Sequence, residues 1–288
     1  MEKRLIIIDS NALLHRAFHA LPPLAKSDGQ ETGAVYGYLL TLFKAIKDLN
    51  PTHIVATFDT KAKTFRHDQF ADYKAHRPLT PSGIISQIPI AKEVLTVFKI
   101  PVFAIDGVEA DDLIATICTI APKDFEIFIL TGDMDSLQLV NEKVKVYTLG
   151  KGIKDTVIYD INKVVERFGV NPSQMVDFKA LTGDPSDNIP GVEGIGKKTA
   201  AEIIQKYGTI KNLYDEMATD TAVLKPKVKE ALKQNKESAF MSRELSEMKK
   251  DVDINFKIDD CKFNFNKTEV ENKLQELEFN SLVNRIPF

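Results

Sequence analysis

Cysteine and histidine are scarce in this chain: two cysteines and five histidines occur among 288 residues. Cys118 and Cys261 lie far apart and lack metal-ligand spacing. A disulfide framework and a zinc centre are therefore not the organising features, and both thiols are expected to be reduced, with Cys118 packed in a helix. Long hydrophobic runs are missing too. Met1 to Arg4 are followed by only four apolar residues before Asp9, too few for a signal-peptide core or a membrane span, which predicts a cytoplasmic protein without membrane contact. There is no low-complexity tract and no long internal repeat. Nor is there an excess of positive charge: 38 Lys and Arg stand against 41 Asp and Glu, a net −3. That sum speaks against a uniformly basic nucleic-acid binder, but the distribution of charge matters more than its total. With 43% hydrophobic content, the chain can bury one large core or two smaller ones.

What the chain does have is acidic residues where hydrophobic runs stop. Residues 5–8 lead into Asp9, residues 54–58 into Asp59, and residues 127–130 nearly into Asp133. Short runs rich in Ile and Val, ended by a turn signal, read as strands buried on both faces of a parallel sheet. Such sheets bind ligands beyond the carboxyl ends of their strands. Further acids stand at Glu109, Asp111 and Asp112, at Asp135, and at Asp184 and Asp187. If they meet at one sheet edge, nine carboxylates share a cleft, and their repulsion calls for multivalent cations. An all-oxygen donor set suits Mg2+ or Mn2+.

The first half alternates strands and amphipathic helices. Strands are expected at 5–8, 53–58, 102–105, 126–130 and 145–149. A Gly/Pro-containing loop is expected after Asp9, and helices at 34–49 (with Thr32 as cap), 84–98 and 111–120. This pattern predicts an α/β fold with a central, mostly parallel sheet flanked by helices. From about residue 159 only helices are expected: 172–181, opened by the Asn171-Pro172 pair, then 197–207, 225–239, 242–248 and 267–277.

Each acidic motif has a plainer explanation. Acids in the opening turn of a helix complement its dipole, and Asp133 has the look of a cap for a short helix. Several such groups, each at an expected strand end or turn, are far less probable than one. Glu109 belongs in the loop entering its helix, because inside it Glu109 and Asp111 would point to opposite sides. Residues 61–77 carry Lys61, Lys63, Arg66, Lys74 and Arg77 against Asp68 and Asp72, interleaved with Phe65, Phe70 and Tyr73. That mixture is often only a solvated loop. Its place directly after Asp59 hangs it over the acids, where cations and aromatic faces suit a phosphate chain with stacking bases, Tyr73 being the candidate platform. The third motif runs Gly191-Val192-Glu193-Gly194-Ile195-Gly196-Lys197-Lys198. It reads either as a plain helical hairpin or as a grip on a duplex backbone, with glycines for close approach, helix N–H groups and two lysines. It is not a Walker loop, since the residue order fails at Lys198 and no strand precedes it.

Taken together and in this order, these motifs closely resemble the flap endonuclease family, in particular the 5′ nuclease domains of bacterial DNA polymerase I. The resemblance spans essentially the whole chain. It is most specific in Phe65-Arg66, Tyr73 to Arg77, Glu109 to Asp112, Thr131 to Asp135 and Leu181 to Gly196, and no departure points to lost activity. It implies a PIN-like nuclease core over 1–155 with an arch at about 61–81, and a helical DNA-binding region over 156–288, carrying a helix-hairpin-helix-like motif, that completes the metal site. It further implies that Asp9, Asp59, Glu109 and Asp111 hold one Mg2+ and Asp133, Asp135 and Asp184 the other, with Asp112 and Asp187 acting through water or from behind. Mn2+ is expected to substitute, and K+ to sit at the glycine turn. Lys74 and Arg77 are expected at the scissile phosphate. Arg66, Tyr73, Lys74, Arg77, Gly191, Gly194, Ile195, Gly196, Lys197 and Lys198 are expected at DNA. The implied function is a 5′-3′ exonuclease and flap endonuclease on 5′ flaps and 5′ ends at duplex junctions, in primer removal and repair. The expected setting is a monomer in the bacterial cytoplasm, near the nucleoid, with a polymerase domain in cis or in trans.

Two rivals are weighed against this. A haloacid-dehalogenase-type phosphatase needs a second Asp two residues after the first, where this chain has Asn11. A non-catalytic duplex-binding module would explain the glycine turn and the basic stretch but has no use for nine acids.

Overall fold

The computed structural model describes residues 2–150, 152 and 155–287. Six strands form one sheet in the order β3-β2-β1-β4-β5-β6: β1 (Lys3–Asp9), β2 (His53–Thr57), β3 (Val102–Phe103), β4 (Phe125–Leu130), β5 (Val144–Leu149) and β6 (Thr156–Tyr159). All pairings are parallel except β5 with β6. The order reverses at β1, whose neighbours are β2 and β4, and such a switch point opens a crevice at the carboxyl ends of those two strands.

The sheet is covered on both faces, which explains the unbroken apolar runs. Successive side chains alternate across a strand. Leu5 and Ile7 pack with Ile114 and Ile117 of helix 110–120 and with the later helices. Ile6 and Ile8 pack with Leu39, Leu42 and Ile46 of helix 33–49 and with Val270 and Leu274 near the end of the chain. Each such side chain, fully buried, contributes about 1.5–3 kcal/mol.

The helices are α1 (Ser10–Ala20), α2 (Gly33–Leu49), α3 (Phe65–Gln69), α4 (Ser82–Ile85), α5 (Gln87–Val97), α6 (Ala110–Ile120) and α7 (Ile161–Phe168) in the first part of the chain. The rest are α8 (Met175–Thr182), α9 (Lys197–Tyr207), α10 (Ile210–Ala218), α11 (Pro226–Gln234), α12 (Lys236–Ser246), α13 (Lys267–Glu276) and α14 (Asn280–Val283). Three differences from the expected pattern stand out. Residues 10–20 are helical and not a loop, because the Asp9 carboxylate caps them by accepting from the Ala12 N–H at 3.1 Å. The sheet gains β6, an edge strand too short to announce itself, so it runs past the expected boundary at 155; residues 151, 153 and 154, just before that boundary, lie outside the described residues. A helix expected over 225–239 is broken at Asn235 into α11 and α12. Among the described residues no helix is long and apolar enough to cross a membrane.

Candidate metal centre and nucleic-acid interface

The crevice at the switch point is a cavity of about 430 Å3 lined by Asp9, Asp59, Glu109, Asp111 and Asp133, together with Lys61, Lys74 and Arg77. It adjoins an open hollow bounded by Arg16, Asp133, Asp135 and Asp184. Each acid is placed by the end of an element. Asp9 closes β1, and its carboxylate also accepts from Thr131 Oγ1 at 2.6 Å. Asp59 follows β2 and accepts from the Ala110 N–H at 2.8 Å, so it caps α6. Glu109 is the last residue before α6, as expected, and Asp111 lies in the first turn. Asp133 caps the short 3₁₀ helix Met134–Leu139 by accepting from the Asp135 N–H at 2.8 Å. Asp184 arrives from the helical half through the turn after α8, where Gly183 has φ +66°.

Electrostatics divides these acids into two kinds. Burial, reinforced by the charges of Asp59 and Asp133, pushes the Asp9 carboxyl up to about 7. Burial and the neighbouring Asp133 and Asp9 also raise Asp111 well above the usual carboxylate range. Asp135 rises to about 6, again through burial, with Lys179 opposing it. In the other kind a neighbouring cation outweighs burial. Burial would raise Glu109, but Lys74, at 2.9 Å, and Arg66 hold it below its ordinary value. Against burial, Lys179 at 2.7 Å and two hydrogen bonds from Ser186 hold Asp184 at about 2. Lys179 also pairs with Asp135.

Among the described residues no three His, Cys, Asp or Glu side chains are already drawn together as an ion cage. The carboxylates line the walls, and Lys74, Arg77 and Lys179 stand among them. The donor chemistry nonetheless fits hard divalent cations: every donor is a carboxylate oxygen, and buried acids that repel one another are relieved by a positive ion.

Several expected site residues have other tasks. Arg66 does not face DNA: it is buried, and its guanidinium donates to both oxygens of Asp112, each at 2.8 Å. Asp112 is correspondingly fully buried, and both its oxygens accept from that guanidinium. Tyr73 is not an open stacking platform. Its ring is buried against Ile189 and Leu245, and its hydroxyl donates to Glu109 at 3.2 Å and to Asp187 at 3.3 Å. Asp187 pairs with Arg77. In the glycine turn, Gly191 is packed so tightly that an added Cβ would lie 2.2 Å from the Gly183 nitrogen, and Ile195 is core. Neither is available to DNA. Gly194, Gly196, Lys197 and Lys198 are exposed, and a Cβ at either glycine meets nothing within 4 Å.

Lys179 and the α1 residues Asn11, His15 and Arg16 were missed by reading the sequence. The Asn11 side chain accepts from the Asp59 N–H at 3.1 Å. The signal for Lys179 was its place in the helix that leads into Asp184; the signal for α1 was Asp9 itself as a cap. A second cavity, between α2 and residues 284–287, is larger, about 820 Å3, but among the described residues no Asp or Glu lines it.

Comparisons with known proteins agree with this picture. The chain is 38% identical over 286 residues to DNA polymerase I of Bacillus subtilis, covering 99% of this chain and 32% of that protein. It is 40% identical over 286 residues to DNA polymerase I of Mycobacterium leprae, covering 98% and 31%. It thus spans about a third of the length of the curated relatives it matches. Among solved structures, a zinc-bound 5′-exonuclease of bacteriophage T5 superimposes with a TM-score of 0.71 at 24% identity, over 85% of this chain and 89% of that one. A flap endonuclease of the same phage, in a pseudo-enzyme–product complex with DNA and metal ions, gives 0.70 at 21%, over 99% and 98%. At these identities the two structures establish the fold alone. The N-terminal resolvase-like domain of 5′-3′ exonucleases matches residues 4–169, and their C-terminal SAM fold matches residues 170–269. With both domains matched in order around one acidic crevice, the chain belongs to the 5′-3′ exonuclease family.

Proposed function

We propose that this chain is a structure-specific 5′ nuclease: a 5′-3′ exonuclease and flap endonuclease that hydrolyses DNA phosphodiester bonds at 5′ flaps and at 5′ ends on duplex junctions, in primer removal and repair. The observation that carries this reading is a single cavity in which carboxylates from four chain segments face Lys74 and Arg77. Asp9, Asp59, Glu109 and Asp111 would hold one Mg2+, and Asp133, Asp135 and Asp184 a second, with Mn2+ able to replace either and Asp187 acting through water. Such ions supply an activated water and offset charge on the leaving oxygen.

The chain's own residues do the rest. Hydrogen bonds from Thr131 and from the Ala110 N–H orient the Asp9 and Asp59 carboxylates in advance, so little reorganisation is needed when charge develops. Lys179 keeps Asp135 and Asp184 side by side. Lys74 and Arg77 exchange Glu109 and Asp187 for the scissile phosphate. Residues 61–81 form the strap beneath which a 5′ single strand runs. Gly194, Gly196, Lys197 and Lys198 grip the duplex backbone, and K+ binds at the same turn. Residues 1–155 with β6 make the nuclease core, and the remaining helical region binds DNA and completes the metal site. The protein works as a monomer in the bacterial cytoplasm, on nucleoid DNA, beside a polymerase domain in cis or in trans.

The test is cleavage of a 5′-flapped duplex, a plain duplex and a small phosphomonoester with and without Mg2+. Cutting at the flap junction that requires Mg2+ is expected. Tight binding without cutting would leave a non-catalytic duplex binder, and turnover of the phosphomonoester alone would leave a phosphatase.

A further inference from the structure

The strap over the cleft is held at points that the cleft chemistry does not explain. Two of its cations, Lys74 and Arg77, lie on Glu109 and Asp187. Those contacts compete with any cation or phosphate that enters and cannot be what holds the strap during a reaction. Arg66 is different. Besides both oxygens of Asp112, its guanidinium donates to the Leu245 carbonyl at 2.9 Å and to the Glu247 carbonyl at 2.8 Å. Asp112 Oδ1 in turn accepts from the Lys249 N–H at 2.8 Å. These hydrogen bonds use four of the five guanidinium N–H directions, Nη1 also lies 3.4 Å from Glu109 Oε2, and the fork geometry matches a carboxylate in a way that a lysine cannot. Four and seven residues on, Phe70 and Tyr73 pack in one cluster with the same Leu245. One face of the strap is thereby fastened to the first turn of α6, which carries Asp111, and to the end of α12, which packs on α8 ahead of Asp184.

We propose that the Arg66–Asp112 pair is a positioning latch: it sets the height of the strap over the cleft, so that Lys74 and Arg77 reach the phosphate, and Asp112 is no metal ligand. The pair acts through Lys74 and Arg77 and touches neither substrate nor ion. Because it is buried behind the cavity wall, with both Asp112 oxygens on Arg66, an ion or phosphate entering the cleft need not break it. This inference rests on the nuclease reading for its effect on cleavage, but not for its effect on the strap.

The experiment uses three readouts on the whole chain: single-turnover cleavage of the flapped duplex alongside substrate affinity in Ca2+, Mn2+ binding measured directly without DNA, and the rate at which trypsin cuts the strap at Lys61 to Arg77. The variants are Arg66→Lys, which keeps the charge but loses the fork, and the double replacement Arg66→Met with Asp112→Leu, which removes both charges together. With the latch in place, both variants bind Mn2+ as the parent does, their straps are cut several times faster, and their single-turnover rates fall roughly 10- to 100-fold while affinity changes much less. Parent-like trypsin resistance in Arg66→Lys would overturn the latch. Mn2+ binding weakened in the double variant but not in Arg66→Lys would return Asp112 to the ligands and overturn it as well. If the double variant does not fold, Arg66→Lys and Asp112→Glu carry the same three readouts. A parent protein that cuts no flap would sink the nuclease reading, and the Mn2+ and trypsin arms would still decide the latch.

Discussion

A buried carboxylate among others of its kind gives up its charge unless something positive stands beside it. Asp9 and Asp111 are raised by burial, while Glu109 and Asp184 stay ionised beside Lys74 and Lys179. Asp184→Asn removes a proposed ion ligand and no phosphate contact. Single-turnover cleavage in Mg2+ should fall at least about 100-fold, with duplex affinity in Ca2+ nearly unchanged; a rate equal to the parent's at saturating Mg2+ would discard the assignment. Lys74→Ala and Arg77→Ala test a different role. If these cations meet charge that grows in the transition state, each should cost roughly 100- to 1,000-fold in the chemical step and far less in affinity. Equal losses in rate and binding would make them mere tethers. At this scale the carboxylates of the cavity could be read from the sequence, because each ends a hydrophobic run or sits in a turn. Arg66 and Asp112 could not. A guanidinium aimed at DNA and one buried on a carboxylate are the same letter, and only the packing around them decides.

Elements supply the second kind of test. The turn before α9 carries two exposed glycines with different backbones. Gly194, at φ +82°, needs the conformation that glycine alone adopts freely, whereas Gly196, at φ −88° with open space around it, does not. Gly196→Val should therefore fold as the parent does, yet bind duplex arms more weakly and single strands about equally. For Lys197→Ala, the slope of log affinity against log salt should become shallower by about 0.9; an unchanged slope would make the turn a structural hairpin only. In the sheet, Glu126 on β4 bridges Arg4 on β1, at 3.0 Å, and Lys145 on β5, at 2.6 Å. Burial opposes it, but these cations hold its carboxyl below the ordinary 4.5. A depressed folded pKa adds stability above that value, and the stability is lost as the pH falls through the folded value. Glu126→Gln should thus cost ~0.5–1 kcal/mol near neutrality and almost nothing in strong acid; denaturant titrations at the two pH values check it. The long helices and the apolar strands were legible from their periodicities. Helix α1 was not, because its cap, Asp9, also ends a strand, and β6 was not, because four residues at a sheet edge leave too little pattern.

For the whole molecule, the three layers explain why the site lies where it does. A doubly wound sheet leaves one crevice uncovered at its switch point, and the helical half reaches the hollow beside it through the turn from Gly183 to Ile189, closed by hydrogen bonds between Asp184 and Ile189 at 2.8 and 2.9 Å. On the proposed reading, cleavage would require both halves to present oxygens at one place. Ca2+, with its larger and looser coordination, should support binding of the flapped duplex without hydrolysis. A gel-shift titration beside a cleavage assay checks this, and brisk hydrolysis in Ca2+ would count against a centre that depends on close placement of two ions.

The sequence by itself determined the alternation of strands and helices, the acids at their ends and the glycine turn, because burial on two faces, helical period and backbone freedom are local demands that each residue must meet. The tertiary structure alone decided which side chains face the cleft. It turned Arg66 and Asp112 into a buried pair, set Tyr73 into a hydrophobic contact with Leu245, brought Lys179 between Asp135 and Asp184, and packed Gly191 against Gly183. These are contacts between residues far apart in the chain or on separate elements, and the free energy of a buried charge depends on what stands next to it in space.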